Sequence, residues 1–193
     1  MELLEQTVIA RGKVLKGDIL KVDGFLNHRI DVDLMDKMSE YVYEHFKSAG
    51  VTLVLTVEAS GIAFASLVAR FFHCPVLFAK KSRSSNLGEG VITAVAKSYT
   101  HGTVNTLMVS ADYIDKSDKV LIVDDFLATG EAAYALKTIV EKSGAQLVGF
   151  VSAVEKGYQG GGDKFRAMPD VPYKALAVIE SADENGIIFR EDD

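Results

Sequence analysis

Short apolar runs alternate with longer amphipathic segments along the chain, and this pattern is typical of an α/β domain. The runs at Thr52–Val57 and Val120–Val123 are apolar and rich in β-branched residues, which predicts strands buried on both faces of a parallel sheet. Four more runs predict strands: Val76–Ala79, Leu147–Val154, Lys174–Ile179 and Ile187–Phe189. Because no repeat or Pro/Gly/Ser-rich linker divides the chain, we expect residues 1–193 to form one domain with a central, mostly parallel sheet flanked by helices.

Helical spacing of apolar residues predicts the flanking helices. One helix is predicted between Asp33, as its N-cap, and Gly50, as its stop signal. Its apolar face consists of Leu34, Met38, Tyr41, Val42 and Phe46. A second helix is predicted from Gly61 until Pro75 breaks it, and a third over Glu131–Ser143.

Four segments fit the sheet-and-helix pattern less well. Val91–Tyr99 and Thr103–Ser110 predict a β-hairpin, and Ser82–Gly90 before them has almost no apolar anchor, which predicts a loop. We expect this loop and hairpin, about residues 82–110, to be flexible, weakly packed without ligand, and able to close over a site. Residues 1–30, called the cap below, mix apolar residues with turn formers and predict a small appendage to the domain. Gly157 and Gly160–Gly162 predict a flexible turn region.

Composition and charge narrow the possible functions. The net charge of −6 argues against broad nucleic-acid binding, which needs a basic surface, so we expect no nucleic-acid partner. The apolar runs are too short to span a bilayer, and Met1 is followed by Glu2 and Glu5 rather than by a basic and then apolar leader. A single cysteine, Cys74, excludes an internal disulfide. These features together predict a cytoplasmic protein with no membrane partner.

The segment Val120–Ala132, VLIVDDFLATGEA, carries the most specific chemical signal. Ligands of open α/β sheets bind at the carboxyl ends of strands, where this segment places Asp124 and Asp125. The turn containing Thr129 and Gly130 offers backbone N–H groups and a hydroxyl to an anion, and the helix that follows adds the positive end of its dipole. An isolated Asp pair would more often end a strand or cap a helix. The whole segment instead favours a site that binds a phosphate with its loop and sugar hydroxyls with its carboxylates.

The same segment resembles the motif that binds phosphoribosyl pyrophosphate (PRPP) in type I phosphoribosyltransferases. Val57–Ile62 (VEASGI) and Phe78–Lys81 (FAKK) are similar to the pyrophosphate loop and basic segment of that family. Lys21–Asp31 (KVDGFLNHRID) resembles the purine-binding segment of those members that act on xanthine. The resemblance covers essentially the whole chain and implies the type I phosphoribosyltransferase fold.

The resemblance also implies how PRPP is bound. Asp124 and Asp125 would bind the ribose 2- and 3-hydroxyls, and they would help to hold Mg²⁺ through water or substrate rather than as direct ligands. The 5-phosphate would lie against consecutive loop residues, which are Ala128, Thr129, Gly130, Glu131 and Ala132. Pyrophosphate would contact a second set, which is Glu58, Ala59, Ser60, Gly61, Lys80 and Lys81. The family resemblance further implies a homodimer, with one of these lysines facing pyrophosphate across the interface.

Three residues are implied to bind the purine: Leu20 and Asn27 from the cap, and Lys156 at the end of a strand. Xanthine carries carbonyl oxygens at positions 2 and 6, and a lysine, which only donates hydrogen bonds, suits an oxo group better than the amino group of adenine. On position alone, Lys156 could equally be a solvated lysine in a Gly-rich loop. The expected reaction is transfer of the 5-phosphoribosyl group from PRPP to xanthine. Two alternatives stay open: another purine as acceptor, or a PRPP-sensing regulator without catalysis.

Overall fold

A six-stranded sheet forms the centre of the protein. The computed structural model describes residues 1–15, 19–82, 90–97, 104–183 and 186–190, without the side chains of residues 19, 97 and 104. The strands within these ranges are β1 (Lys13–Leu15), β2 (Ile19–Lys21), β3 (Leu53–Val57), β4 (Val76–Ala79), β5 (Val91–Lys97), β6 (Val104–Ser110), β7 (Lys119–Leu127), β8 (Gln146–Lys156), β9 (Tyr173–Asp183) and β10 (Gly186–Phe189). The helices are α1 (Glu2–Arg11), α2 (Val32–Phe46), α3 (Gly61–Phe72), α4 (Glu131–Ser143) and α5 (Gly161–Arg166).

The sheet order is β10-β9-β8-β7-β3-β4, and every neighbouring pair is parallel except the antiparallel pair β9–β10. The predicted mostly parallel sheet is therefore confirmed. Successive side chains of a strand point to opposite faces, and β7 shows the result directly. Leu121 and Val123 pack with α2, α3 and the cap, whereas Val120 and Ile122 pack with α4 and the hairpin. Helices and hairpin thus cover both faces of the sheet, as its apolar strands require.

The helix boundaries agree closely with the predictions, with one correction. Asp31, not Asp33, is the N-cap of α2, because its backbone is extended and its carboxylate accepts a 3.3 Å hydrogen bond from Leu34 N. Asp33 lies inside the first turn, where its negative charge interacts favourably with the helix dipole. Helix α3 ends before Pro75, at His73, whose φ of 53° is left-handed. Helix α4 has the predicted bounds.

Strands β7 and β8 are longer than predicted. Strand β7 continues through the two aspartates, because Phe126 and Leu127 still pair with Val154 and Glu155 of β8. The predicted end of the strand at Val123 was therefore wrong. Extension of both strands brings their last residues to the edge of the sheet where the candidate site lies.

The hairpin and the cap are packed onto the sheet. In the hairpin formed by β5 and β6, Ala94 and Leu107 are buried, and Lys142 of α4 donates a 2.7 Å hydrogen bond to the carbonyl of Thr93. These strands therefore contact the rest of the domain, and residues 83–89 and 98–103 of the predicted loop and hairpin lie outside the described residues. Flexibility of this region without ligand stays a prediction. In the cap, Leu4 and Val8 of α1 are fully buried.

The Gly-rich segment after β8 is not the flexible turn that its composition predicted. Gly161 and Gly162 are buried and form the first turn of α5, whose Phe165 is also fully buried. Close packing explains the glycines, since a side chain at either position would overlap neighbouring atoms. Within the described parts of the chain, no helix is long and apolar enough to cross a membrane.

Candidate active site

A cleft of about 230 Å³ opens at the carboxyl end of β7. Its walls are Asp124, Phe126 and the segment Leu127–Ala133, with Lys81 after β4 and three residues of the hairpin, Ala96, Asn105 and Leu107. The cleft therefore lies where the end of a buried strand, the start of α4 and the hairpin meet. This is the place at which open α/β sheets bind ligands.

The two aspartates at the end of β7 are nearly buried, each with 5% of its surface exposed. Asp125 accepts two hydrogen bonds of 2.9 Å, one at Oδ2 from Asn27 Nδ2 and one at Oδ1 from the Ser60 hydroxyl. Asp124 Oδ1 accepts a 3.0 Å hydrogen bond from the backbone N–H of Asp125. The cap and the start of α3 thus both fix Asp125.

Asp124 lies in an environment that disfavours its charged form. Burial raises its pKa well above the ordinary value, the negative charge of Asp125 raises it further, and the positive charge of Lys81 offsets part of this increase. Thr56 lies nearby with a fully buried hydroxyl oxygen that has no hydrogen-bond partner among the described residues. A Cβ at Gly61 would overlap this oxygen and lie 2.9 Å from Asp124 Oδ1. Position 61 therefore has no space for a side chain.

The segment Ala128–Ala132, called the phosphate loop below, has the geometry of an anion cradle. Gly130 is left-handed with a φ of 90°, which a glycine adopts without strain. Helix α4 begins directly after it, so the N–H groups of its first turn have no partner within the helix. These N–H groups and the helix dipole favour an anion in the adjoining cleft. The loop is supported from behind by a 3.1 Å hydrogen bond from Gly161 N to the Ala128 carbonyl.

The residues predicted to contact pyrophosphate lie at the ends of β3 and β4. The peptide bond between Glu58 and Ala59 is cis, and Glu58 Oε1 accepts a 2.6 Å hydrogen bond from the backbone N–H of Lys81. Lys80 forms a backbone bridge with Met108 of the hairpin, with N···O distances of 2.9 and 3.0 Å. Lys81 itself lines the cleft. The structure therefore brings the two predicted segments together beside Asp124.

The three residues predicted to bind the purine are placed differently from one another. Asn27 reaches the site through its hydrogen bond to Asp125, and Lys156 Nζ lies 5.7 Å from the ring centroid of Phe126, which lines the cleft. Leu20 is only 6% exposed and belongs to the hydrophobic core that the cap shares with α2, α3 and the sheet, and it is not among the residues that line the cleft.

Some contacts of the site were not foreseen. From the sequence, Ser60 and Asn27 are predicted as contacts for substrate but not as partners of Asp125, and Thr56 has no predicted role. No local pattern signals these relationships, because they join residues far apart in the chain. Among the described residues, no group of three or more His, Cys, Asp or Glu side chains could hold a metal ion.

The chain is similar to known proteins along most of its length. Residues 22–171 match the family model described as the phosphoribosyl transferase domain. A xanthine phosphoribosyltransferase of Ruminiclostridium cellulolyticum is 44% identical over 99% of this chain and 100% of its own length. One of Clostridioides difficile is 44% identical over 98% of this chain and 100% of its own. The crystal structure of an adenine phosphoribosyltransferase of Rhodothermus marinus has a TM-score of 0.73 and 20% identity, covering 92% of this chain and 99% of that one. At that identity the structural match shows the fold alone, and it confirms the predicted fold class.

Proposed function

The chain belongs to the phosphoribosyltransferase family, within its xanthine phosphoribosyltransferase group, and we propose that it transfers the 5-phosphoribosyl group of PRPP to xanthine. The products are xanthosine 5′-monophosphate and pyrophosphate, a purine-salvage reaction. One observation carries the proposal: two buried carboxylates border an N–H-rich loop at the start of a helix, inside a cleft. This arrangement suits a sugar that carries a phosphate.

The choice of xanthine is supported by the donors near the cleft. Lys156 can donate hydrogen bonds but cannot accept them, so it suits a carbonyl oxygen of the base and not the adenine amino group. Asn27 can donate and accept, which suits a ring N–H beside a carbonyl. A purine that left one of these groups without a partner would lose about 1–3 kcal/mol of binding. The relatives with 44% identity are xanthine phosphoribosyltransferases, which supports the same choice.

In the proposed reaction, a purine nitrogen displaces pyrophosphate from the anomeric carbon of the ribose. Asp124 and Asp125 accept hydrogen bonds from the ribose 2- and 3-hydroxyls and hold the ring in place. Their negative charge also favours the positive charge that develops on the ribose as the bond to pyrophosphate breaks. No residue acts as a nucleophile, so catalysis consists of positioning and electrostatic stabilisation.

The phosphate loop holds the 5-phosphate with its backbone N–H groups, from Ala128 to Ala132. Pyrophosphate contacts the segment Glu58–Gly61 and the lysines Lys80 and Lys81. Lys81 is well placed for this role, because it is close enough to Asp124 to lower the pKa of that carboxyl and it lines the same cleft. Because Leu20 is nearly buried, its proposed contribution to purine binding is to pack behind the residues that contact the base.

The donor set fits Mg²⁺ as a cofactor held mainly by substrate. Two adjacent carboxylates are hard oxygen donors, and proteins often bind Mg²⁺ through one or two carboxylates together with substrate phosphates and waters. The described residues offer no third acidic or His ligand for a closed cage. Asp124 and Asp125 would help to hold the ion through water or substrate. When bound, the ion supplies Lewis-acid stabilisation of the leaving pyrophosphate.

The homodimer and the cytoplasmic location are part of the proposal. Strand β4 is the edge of the sheet, and its Phe78 is 37% exposed, which supports an interface beside Lys80 and Lys81. Sedimentation of the wild type and of Phe78→Asp tests this interface. We expect a dimer for the wild type and a weaker dimer for the variant. A wild-type monomer at all concentrations would contradict it.

Nucleotide formation tests the function directly. The purified protein is incubated with PRPP and Mg²⁺ and, separately, with xanthine, guanine, hypoxanthine or adenine, and products are separated by chromatography. We expect the highest kcat/KM with xanthine. A clear preference for another base would correct the acceptor and leave the reaction class intact. No nucleotide with any of the four bases, from a protein that is folded by circular dichroism, would overturn the assignment.

A further inference from the structure

The proposed reaction makes no use of Glu155, although this is a fully buried carboxylate. It lies at the end of β8, one residue before Lys156. Its Oε1 accepts a 2.9 Å hydrogen bond from Arg166 Nη1, and its Oε2 accepts one of 2.6 Å from Arg166 Nη2 and one of 2.8 Å from the Tyr173 hydroxyl. The Tyr173 oxygen is also 2.8 Å from the Ser152 hydroxyl. Glu155 is thus fully paired inside the protein.

Stability alone is a weak explanation for such a pair. Burial of the Glu155 carboxylate carries a desolvation cost that Arg166, with 38% of its side chain exposed, has to offset, and well-packed apolar side chains of similar size often stabilise a protein at least as well. What the pair does provide is a fixed geometry, since the planar guanidinium meets the carboxylate with two parallel bonds.

Helix α5, which carries Arg166, lies between Glu155 and the phosphate loop. A Cβ at Gly162 would overlap the Glu155 carboxylate, so the backbone of α5 rests directly on that group. A Cβ at Gly161 would overlap the Ala128 carbonyl oxygen and lie 2.8 Å from Gly130 N. One short helix therefore touches the carboxylate with one glycine and the phosphate loop with the preceding one.

The contact with Ala128 sets the direction of an N–H group. Gly161 N donates its 3.1 Å hydrogen bond to the Ala128 carbonyl, which fixes that carbonyl toward α5. In a trans peptide the C=O and N–H bonds point in opposite directions. The N–H of Thr129 is therefore held on the side of the loop away from α5. A loop whose N–H groups are already oriented binds an anion without the cost of ordering them.

We propose that Glu155 is a positioning residue for the phosphate loop: it anchors α5 through Arg166, and α5 orients the loop through Gly161. This inference rests on the proposed role of Ala128–Ala132 in binding the 5-phosphate. It assigns to Glu155 an effect on the 5-phosphate end of PRPP, with no contact between Glu155 and substrate. The end of the site proposed to bind pyrophosphate lies at the ends of β3 and β4, and α5 does not form part of it.

Calorimetric titration with ribose 5-phosphate, pyrophosphate and xanthine separates these ends. Glu155→Gln removes the charge and one acceptor but keeps the size of the side chain. We expect it to weaken ribose 5-phosphate binding, and to raise the KM for PRPP, between about tenfold and about 100-fold. Binding of pyrophosphate, measured with the same protein, should change less than about threefold. The control is Arg70→Gln, which removes an exposed ion pair with Asp36 between α2 and α3.

Two further variants keep the test decisive if Glu155→Gln does not fold. Arg166→Lys keeps the positive charge but loses the two parallel bonds, and Gly161→Ala keeps the ion pair but displaces the Ala128 carbonyl. Both should show the same selective loss of ribose 5-phosphate binding. Equal losses for all three ligands, or none, in the folded variants would overturn the positioning role. Failure of the wild type to bind ribose 5-phosphate or to form nucleotide would instead overturn the proposed function.

Discussion

Asn27 Nδ2 donates a 2.9 Å hydrogen bond to Asp125 Oδ2, and this bond joins the cap to the end of β7 across 98 positions of the chain. Asn27 is one of the residues proposed to contact the purine, and Asp125 is one of the two proposed to hold the ribose. The bond therefore connects the parts of the site that bind the two substrates. We therefore expect a substitution of Asn27 to affect the binding of both substrates.

Replacement of Asn27 tests this connection. Asn27→Ala removes a donor to the base and a partner of Asp125, and we expect kcat/KM for xanthine to fall by about 10-fold to 100-fold. Asn27→Asp adds a carboxylate beside Asp125, so like-charge repulsion should make its loss larger. Steady-state kinetics with both substrates measures the effect. If Asn27→Asp were as active as Asn27→Ala, a negative charge at position 27 would have no effect on Asp125, which would contradict the close contact between the two side chains.

Asp125→Asn should leave the fold intact and lower kcat strongly. The amide keeps the shape of the side chain and can still accept from Asn27 or Ser60, but it removes the negative charge next to the ribose. We expect a loss of about 100-fold to 1,000-fold in kcat, similar to the removal of one strong electrostatic contact from other active sites. Circular dichroism and nucleotide formation are the measurements. The exposed residue Asp170 supplies the control Asp170→Asn, which should behave like the wild type.

Replacement of Lys156 should weaken binding of the base and leave binding of PRPP nearly unchanged. Lys156→Met keeps the length of the aliphatic chain and removes the donors, so the KM for xanthine should rise by about 10-fold to 100-fold. The KM for PRPP should change little, because Lys156 lies beside Phe126 and not in the phosphate loop. Lys116→Met, at an exposed position, is the control. A larger change in the KM for PRPP than for xanthine would contradict the assignment to the base.

Local sequence patterns predicted the elements of this fold well and the contacts of the site only in part. The bounds of α4 and the sites of β3 and β4 follow from apolar spacing and from glycine and proline signals, which act between near neighbours. The loop after Asp125 was also recognisable, since it is one continuous segment. Bonds such as the one between Glu155 and Arg166 depend on how β8 and α5 pack. That packing is a tertiary property without a local pattern, and it produces a short helix with buried glycines where a flexible turn was predicted.

At neutral pH, Asp124 should make the ligand-free protein less stable than a variant that cannot ionise at this position. An unfolded carboxyl titrates near 3.8, and burial raises the folded pKa well above that value. The folded state therefore favours the neutral carboxyl. The neutral form contributes fully to the free energy of unfolding below the unfolded pKa, and this contribution is lost as the pH rises through the folded pKa. Asp124→Asn, which cannot ionise, should have a higher Tm than the wild type at about pH 8, by a few degrees.

Thermal unfolding of both proteins at several pH values checks this expectation. The difference in Tm should shrink as the pH falls below the unfolded value of 3.8, toward about pH 3, where the wild-type carboxyl is mostly neutral in both states. Asp124→Asn should nevertheless be less active, because it removes one of the charges proposed to hold the ribose. A difference in Tm that did not vary with pH would mean that ionisation of Asp124 is not its cause.

Gly61→Ala should reduce both stability and activity, for separable reasons. The new Cβ would overlap the buried Thr56 hydroxyl oxygen and lie 2.9 Å from Asp124 Oδ1. Overpacking of this kind costs about 1–3 kcal/mol, so the Tm should fall by several degrees. Ser66→Ala, on the exposed face of the same helix, is the matched control and should keep both properties.

Addition of Thr56→Ala to Gly61→Ala separates the two effects. Loss of the Thr56 hydroxyl makes space for the new Cβ, so the double variant should be more stable than Gly61→Ala, and a double-mutant cycle measures this coupling. The new methyl group would still press on Asp124 Oδ1, which the second change does not move, so activity should stay low. If the double variant recovered both properties, the contact with Thr56 would account for the whole effect, and the close approach of Gly61 to Asp124 would have no part in catalysis.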